Sequence, residues 1–382
     1  MGGWIDQFPD NFLWSNATII IKGMVPYGVV SAEEIDRVCE KLAGRQGEAE
    51  AWWEEWTGMG RAVEARALEA VAEGRQRTAG ALFLRAAHYY YTGERFMLPG
   101  DEKKKLSEKS FACFHAGLRL RYPQIEFVEI PYENASLPAL FFPAVDTSKP
   151  APTVVVFNGM DNCKEMSIVF AGTEFSQRGF NTLCVDGPGQ GEMRRLRDVP
   201  ARYDFEVAGT AAYDYAVTRP EVDPARVVVM GYSFGGYYTG RVAAFEKRYA
   251  ACVAMSALHW DLAAWQQSIL DRARAAPKSI AQSNFQFQWV VGADTPEEAI
   301  EIARKFTLKD VAKDITQPFL VTHGANDRLV PVAAAHLLYE AVGAKNKTIK
   351  IFTGDEGGAE HCSIDHRPTG IDYIADWIEA NV

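Results

Sequence analysis

The stretch Arg226-Val227-Val228-Val229-Met230-Gly231-Tyr232-Ser233-Phe234-Gly235-Gly236, continued by YYTGRVAAFE at 237–246, decides how this chain is read. A short β-branched apolar run leads into a tight, glycine-flanked turn, and the turn leads into residues with helical spacing. A nucleophilic serine needs this setting. The turn must be sharp enough to hold the hydroxyl clear of the backbone, and small neighbours let strand and helix approach without collision. G-x-S-x-G alone recurs by chance; between a strand and a helix it marks Ser233 as the candidate nucleophile.

A serine hydroxyl attacks poorly until a base takes its proton, and the base must itself be oriented by a third group. Two late histidines offer themselves. His361 follows the apolar run IKIF at 349–352 and a glycine-rich loop at 354–358, just before a final helix at 370–380. From such a loop an imidazole can reach the serine, whereas His366, beside Asp365 and Arg367, reads as a surface or helix-start residue. His323 closes the run FLVTH and is expected to pack or bond locally. For the orienting carboxylate, Asp327 in HGANDRLVP at 323–331 lies just past a strand, with Gly324 to turn the chain. Asp261, after ACVAM at 251–255, is its rival; Asp355 lies too close in sequence to His361 to suit the role.

The negative charge of a tetrahedral intermediate needs backbone donors. The N–H of Phe234, next to the serine, is one candidate. Met160 in Asn158-Gly159-Met160-Asp161, the loop after VVVF at 154–157, supplies the other. A second glycine string, DGPGQGE at 186–192, lacks the Lys-Ser/Thr pair of a phosphate loop and the G-x-G-x-x-G spacing, so it is read as a rigid turn at the lip of the site. No HExxH or similar ligand set occurs, and neither metal nor cofactor is expected.

Around these motifs the runs 154–157, 182–186, 227–230, 251–255, 319–323 and 349–352 are short and nearly continuously apolar, and most are separated by helix-length stretches. That pattern predicts strands buried on both faces of a mainly parallel sheet, an α/β fold. Two alternating runs, 125–130 and 137–142, flank a Glu133-Asn134 turn and read as an antiparallel pair. Upstream, 31–122 has helical spacing over 49–74, 78–91 and 102–120, and a capping box is expected at Ser31 and Glu34. We therefore expect an N-terminal helical cap or dimerisation domain at 1–122 and a catalytic domain at 123–382. A lid-like insertion at about 259–307 carries Trp260, Trp265, Phe285, Phe287 and Trp289 as candidate apolar walls for a substrate.

Composition narrows the partners. A net charge of −10 over 382 residues disfavours nucleic acid, which is held by lysine and arginine. The six scattered cysteines form no disulfide framework and suit a reducing cytoplasm. The N-terminus lacks a basic, apolar leader, and no stretch approaches the roughly 18–20 apolar residues of a membrane span.

With NGMDNCKE at 158–165, DGPGQGE at 186–192, GYSFGG at 231–236, HGANDRLVP at 323–331 and AEHC at 359–362, the chain resembles a group of α/β-hydrolases. That group gathers around 2,6-dihydroxypseudooxynicotine hydrolase, the fungal polyketide-shortening hydrolases and the FrsA-like esterases. The resemblance implies an α/β-hydrolase fold with a helical cap, a homodimer without cofactor, and a triad of Ser233, Asp327 and His361. It also implies either cleavage of a carbon–carbon bond beside a ketone or ester hydrolysis. Asp261 is then the carboxylate, in HWDLAAWQQS at 259–268, that falls where such an enzyme would help the leaving group. A ligand-binding protein that keeps this fold without the chemistry is the reading of another class, and the complete set of elbow, acid and base argues against it.

Overall fold

The computed structural model of the chain describes residues 3–146, 148–257, 260–275 and 285–382. It divides into two compact units, Met1–Ile125 with Ser268–Trp289, and Glu126–Gln267 with Val290–Val382. His259, where the insertion was expected to begin, lies outside the described residues.

The first unit contains the helices α1 (Phe12–Lys22), α2 (Ala32–Leu42), α3 (Ala49–Ala72), α4 (Gln76–Glu94) and α5 (Asp101–Arg121). Helices α3 to α5 answer the spacing seen in the sequence, but α1 does not. Trp14 through Ile19, with Ile21 and Lys22, are all buried, so no polar stripe alternates with an apolar one to betray the helix. Asn11 caps it by accepting the Trp14 N–H at 3.1 Å. The core is aromatic: the Trp52 ring lies 5.2 Å from Trp14, 5.6 Å from Trp56 and 5.0 Å from Phe96.

The expected capping box does not form. Ser31 caps α2 without a side-chain bond. Glu34 turns inward instead and accepts from the Tyr89 hydroxyl at 2.6 Å and from Arg85 Nε at 3.1 Å, while Tyr89 Oη accepts the Ser31 N–H at 3.0 Å. A buried carboxylate needs charged donors more than a helix start needs a second cap, so tertiary pairing overrides the local motif.

The second unit is built on one eight-stranded sheet: β1 (Glu126–Tyr132), β2 (Ala135–Phe142), β3 (Ala151–Phe157), β4 (Asn181–Val185), β5 (Val222–Tyr232), β6 (Ala251–Met255), β7 (Phe319–Gly324) and β8 (Lys347–Phe352). Their spatial order is β1-β2-β4-β3-β5-β6-β7-β8. β1 and β2 are antiparallel around the Glu133-Asn134 turn, β2 is antiparallel to β4, and β4 through β8 run parallel. This is the mainly parallel α/β sheet expected from the strand pattern, and the α/β-hydrolase architecture that the resemblance implies. From β3 the chain steps one way to β4 and then returns to lay β5 on the other side. The carboxyl ends of β3 and β5 therefore form the topological switch point, where open α/β sheets bind ligands.

At one rim of the sheet, exposed Glu126 and Glu129 of β1 pair with Arg219 at 2.8 Å and Arg197 at 2.6 Å. At the other, Lys347 of β8 donates to the Tyr339 carbonyl at 2.8 Å and Lys350 pairs with Glu356. Among the described residues no helix is long and apolar enough to cross a membrane.

Candidate active site

Ser233 stands between β5 and the helix Phe234–Phe245 with φ 57° and ψ −122°, a backbone conformation that few non-glycine residues adopt. Close packing enforces it. A Cβ on Gly231 would lie 2.2 Å from the Gly235 carbonyl oxygen, and one on Gly235 would lie 2.3 Å from the Phe157 oxygen. Strand, elbow and helix thus meet at distances only glycine permits. The Ser233 N–H donates to the Met255 carbonyl at 2.8 Å, which ties the elbow to the end of β6.

Asp327 follows β7, its side chain fully buried. Oδ1 accepts the N–H groups of Leu329 at 2.9 Å and Val330 at 2.8 Å, which leaves Oδ2 facing His361 Nδ1 at 2.7 Å. The His361 loop is fixed in turn by Asp365, whose carboxylate accepts three successive N–H groups, those of Gly358, Ala359 and Glu360, at 2.9, 3.1 and 3.0 Å. The Cys362 N–H donates to Ser256 Oγ at 3.0 Å. The imidazole so held lies 2.9 Å, through Nε2, from Ser233 Oγ. An Nδ1–H donated to Asp327 leaves Nε2 unprotonated and able to accept the serine proton.

Charge follows geometry. Burial pulls the His361 imidazole down, but the Asp327 carboxylate more than offsets this and holds it well above its ordinary value. Burial would raise Asp327, and His361 keeps it below the usual carboxylate range. His323, also buried, is pushed down by burial; its Nε2–H donates to the Val330 carbonyl at 2.9 Å, with Asp327 Oδ2 3.4 Å away.

Phe234 opens the helix after the elbow, so its N–H lies at the positive end of the helix dipole, while its ring packs 4.8 Å from Tyr238 and 5.3 Å from Phe306. The loop after β3 comes into contact with the elbow: a Cβ on Gly159 would touch the Ser233 Cβ at 3.1 Å. Met160 is the next residue.

The structure therefore brings Ser233, His361 and Asp327 together, beside Phe234 and the Met160 loop. Asp261 is not the partner of His361. It is exposed, and its Oδ1 accepts the Ala264 N–H at 2.9 Å, capping the helix Leu262–Ala275. His366 bonds Thr369 at 2.5 Å and takes no part. Trp260 and Trp265 are half-buried, and the Trp265 indole N–H donates to the Leu329 carbonyl at 2.9 Å, two residues beyond Asp327. Phe285, Phe287 and Trp289 fall within Ser268–Trp289, which groups with the first unit, where Lys103 Nζ sits 4.8 Å over the Trp289 ring. Sequence reasoning missed Asp365. Its signal was only a carboxylate four residues after the histidine in a glycine-rich loop, a pattern with many other uses.

The chain is similar to known proteins. The family described as "Esterase FrsA-like" matches residues 33–277, and the prolyl oligopeptidase family matches 173–382. The α/β hydrolase gkaG of Penicillium citrinum is 32% identical over 270 residues, 67% of this chain and 62% of that protein. The chain thus spans less than two thirds of gkaG's length. The 20-hydroxy-prefusarin hydrolase FUS2 of Gibberella moniliformis is 28% identical over 90% of both chains. The 2,6-dihydropseudooxynicotine hydrolase of Paenarthrobacter nicotinovorans is 26% identical over 86% of this chain and 83% of its own. Among solved structures, a 2,6-dihydroxy-pseudo-oxynicotine hydrolase superposes with a TM-score of 0.76 at 23% identity, covering 94% of this chain and 95% of that one.

Proposed function

Because the chain belongs to the FrsA-like esterase family of α/β-hydrolases, we propose that it is a serine hydrolase with Ser233 as nucleophile, His361 as general base and Asp327 as the group that orients and stabilises the imidazolium. The observation that carries this reading is the continuous line of contacts from Asp327 Oδ2 through His361 to Ser233 Oγ, at 2.7 and 2.9 Å, on a strained elbow. Ser233 Oγ adds to a carbonyl carbon as its proton passes to His361 Nε2. The N–H groups of Phe234 and Met160 receive the charge on the former carbonyl oxygen. Collapse expels the leaving group, which takes the proton from His361. Water, deprotonated by the same imidazole, then releases the acid and regenerates the serine.

The substrate class proposed is a small aromatic or ketone-bearing carbonyl compound, with Trp260 and Trp265 as apolar walls and Asp261 within reach of a polar substituent. Two curated relatives are named as hydrolases of a pseudooxynicotine and a hydroxy-prefusarin, and they support carbon–carbon cleavage, in which a carbanion beside a ketone is the leaving group. Ester hydrolysis is the second reading, supported by the FrsA-like esterase match. A homodimer working in the cytoplasm without cofactor completes the proposal, and the six cysteines, all free and buried, suit a reducing compartment. Assays of an aryl β-diketone and of an aryl ester, each with Ser233→Ala as control, separate the two readings. Turnover of either that survives in Ser233→Ala defeats the serine mechanism.

A further inference from the structure

The string DGPGQGE at 186–192 reads in sequence as no more than a turn, yet its first residue is bonded to both ends of the loop that carries Met160. Asp186 has no exposed surface. Its Oδ1 accepts Asn158 Nδ2 at 2.8 Å and the Lys164 N–H at 2.8 Å; its Oδ2 accepts the Glu192 N–H at 2.9 Å and faces Lys164 Nζ at 3.3 Å. Lys164, also buried, reaches Glu165 at 2.7 Å and Glu192 at 2.8 Å. Burial pulls its ammonium down, but these carboxylates hold it well above its ordinary range, so it stays charged. Gln190 donates from Nε2 to the Asn158 carbonyl and accepts the Gly187 N–H at 2.9 Å through Oε1. A Cβ on Gly191 would fall 2.1 Å from Asp186 Oδ2, so the carboxylate is clamped against backbone.

An oxyanion donor acts only if its N–H is aimed before charge develops, and a misplacement of about 1 Å is worth roughly a hundredfold in rate. Loops do not hold such tolerances without support. We infer that the Asp186–Lys164 pair is a positioning device for the Met160 N–H, acting through Asn158 on one side of the loop and the Lys164 backbone on the other. This rests on the reading of Met160 as an oxyanion donor.

The test uses the full chain, a fluorophosphonate probe and p-nitrophenyl butyrate. With the probe, Ser233 Oγ forms a bond to phosphorus, fluoride leaves and the proton passes to His361, so kinact reports the oxyanion donors and KI reports prior binding. Asn158→Leu removes the Asn158 attachment and keeps the contacts between Asp186 and Lys164; Asp186→Asn weakens the cluster itself. In Asn158→Leu, kinact and kcat are expected to fall about tenfold to a hundredfold while KI and KM stay within about threefold and the circular dichroism is unchanged. Asp186→Asn should show the same split with a lower Tm; if it does not fold, Asn158→Leu decides alone. A folded Asn158→Leu protein with kinact within about threefold of wild type, or with the loss carried by KI, overturns the inference. Failure of the probe to label Ser233 in the wild-type protein overturns the serine reading as well, and the two failures are thereby told apart.

Discussion

His361 is under two opposed influences, burial that disfavours its charge and the Asp327 carboxylate that favours it, and the second prevails. The proposed general base must be neutral to act, so kcat/KM should rise with pH through a midpoint above the ordinary histidine value of about 6.5. Asp327→Asn removes the cause of the raised value. The midpoint should then move down, while kcat falls by about 10⁴ because the imidazole loses its tautomer and its counter-charge. A pH–rate profile of both proteins checks the sign; an unmoved midpoint contradicts the assignment. The three side chains were legible in sequence because each follows a short apolar run that reads as a strand. The runs before Ser233 and Asp327 are buried, and the expected two-sided burial fails for the run before His361, which is a half-buried edge strand. Asp261 was legible as the rival of Asp327, but nothing in a linear string tells which of two carboxylates after a strand will face the histidine. The structure puts Asp327 Oδ2 at 2.7 Å from His361 Nδ1, while Asp261 Oδ1 accepts the Ala264 N–H at 2.9 Å.

The elements show where local rules govern and where tertiary packing replaces them. The parallel strands were recognisable because burial on both faces leaves an unbroken apolar run, as in Val154–Phe157. Helix α1 was missed for the same reason: a helix buried on nearly all sides has no period to read. The elbow depends on backbone approach. Gly235→Ala places a methyl 2.3 Å from a carbonyl oxygen of β3, which must displace main chain. It is expected to destabilise by about 1–3 kcal/mol or more and to abolish probe labelling, as thermal melts and labelling would show. At the His361 loop, Asp365→Ala removes the acceptor for three N–H groups. A cost of about 1–3 kcal/mol is expected, with kcat down roughly tenfold and KM little changed. Unchanged kcat would show that the loop is held by other means, such as the Cys362–Ser256 bond.

At the scale of the whole molecule, a mainly parallel sheet with an antiparallel pair, and the strands that carry the site, follow from pattern; the spatial order of the strands comes from the structure. The chain path does not. That residues 268–289 group with the N-terminal helices while 290–382 return to the sheet depends on packing between segments far apart in sequence, and periodicity carries no record of it. Association between copies is likewise unwritten in any motif. The homodimer proposed on resemblance predicts a light-scattering mass of twice the chain's 42.4 kDa, and a mass of one chain contradicts it. The ionised rims of the sheet bear on how copies can meet. With paired glutamates along β1 and engaged lysines along β8, a foreign strand laid against either rim would have to strip water and counter-charge from those groups. Cross-β stacking is therefore disfavoured at both ends of the ladder. Replacing Glu126 and Glu129 by valine should shorten the lag before thioflavin-positive aggregates several-fold, turning a rim that repels growth into a template for amyloid.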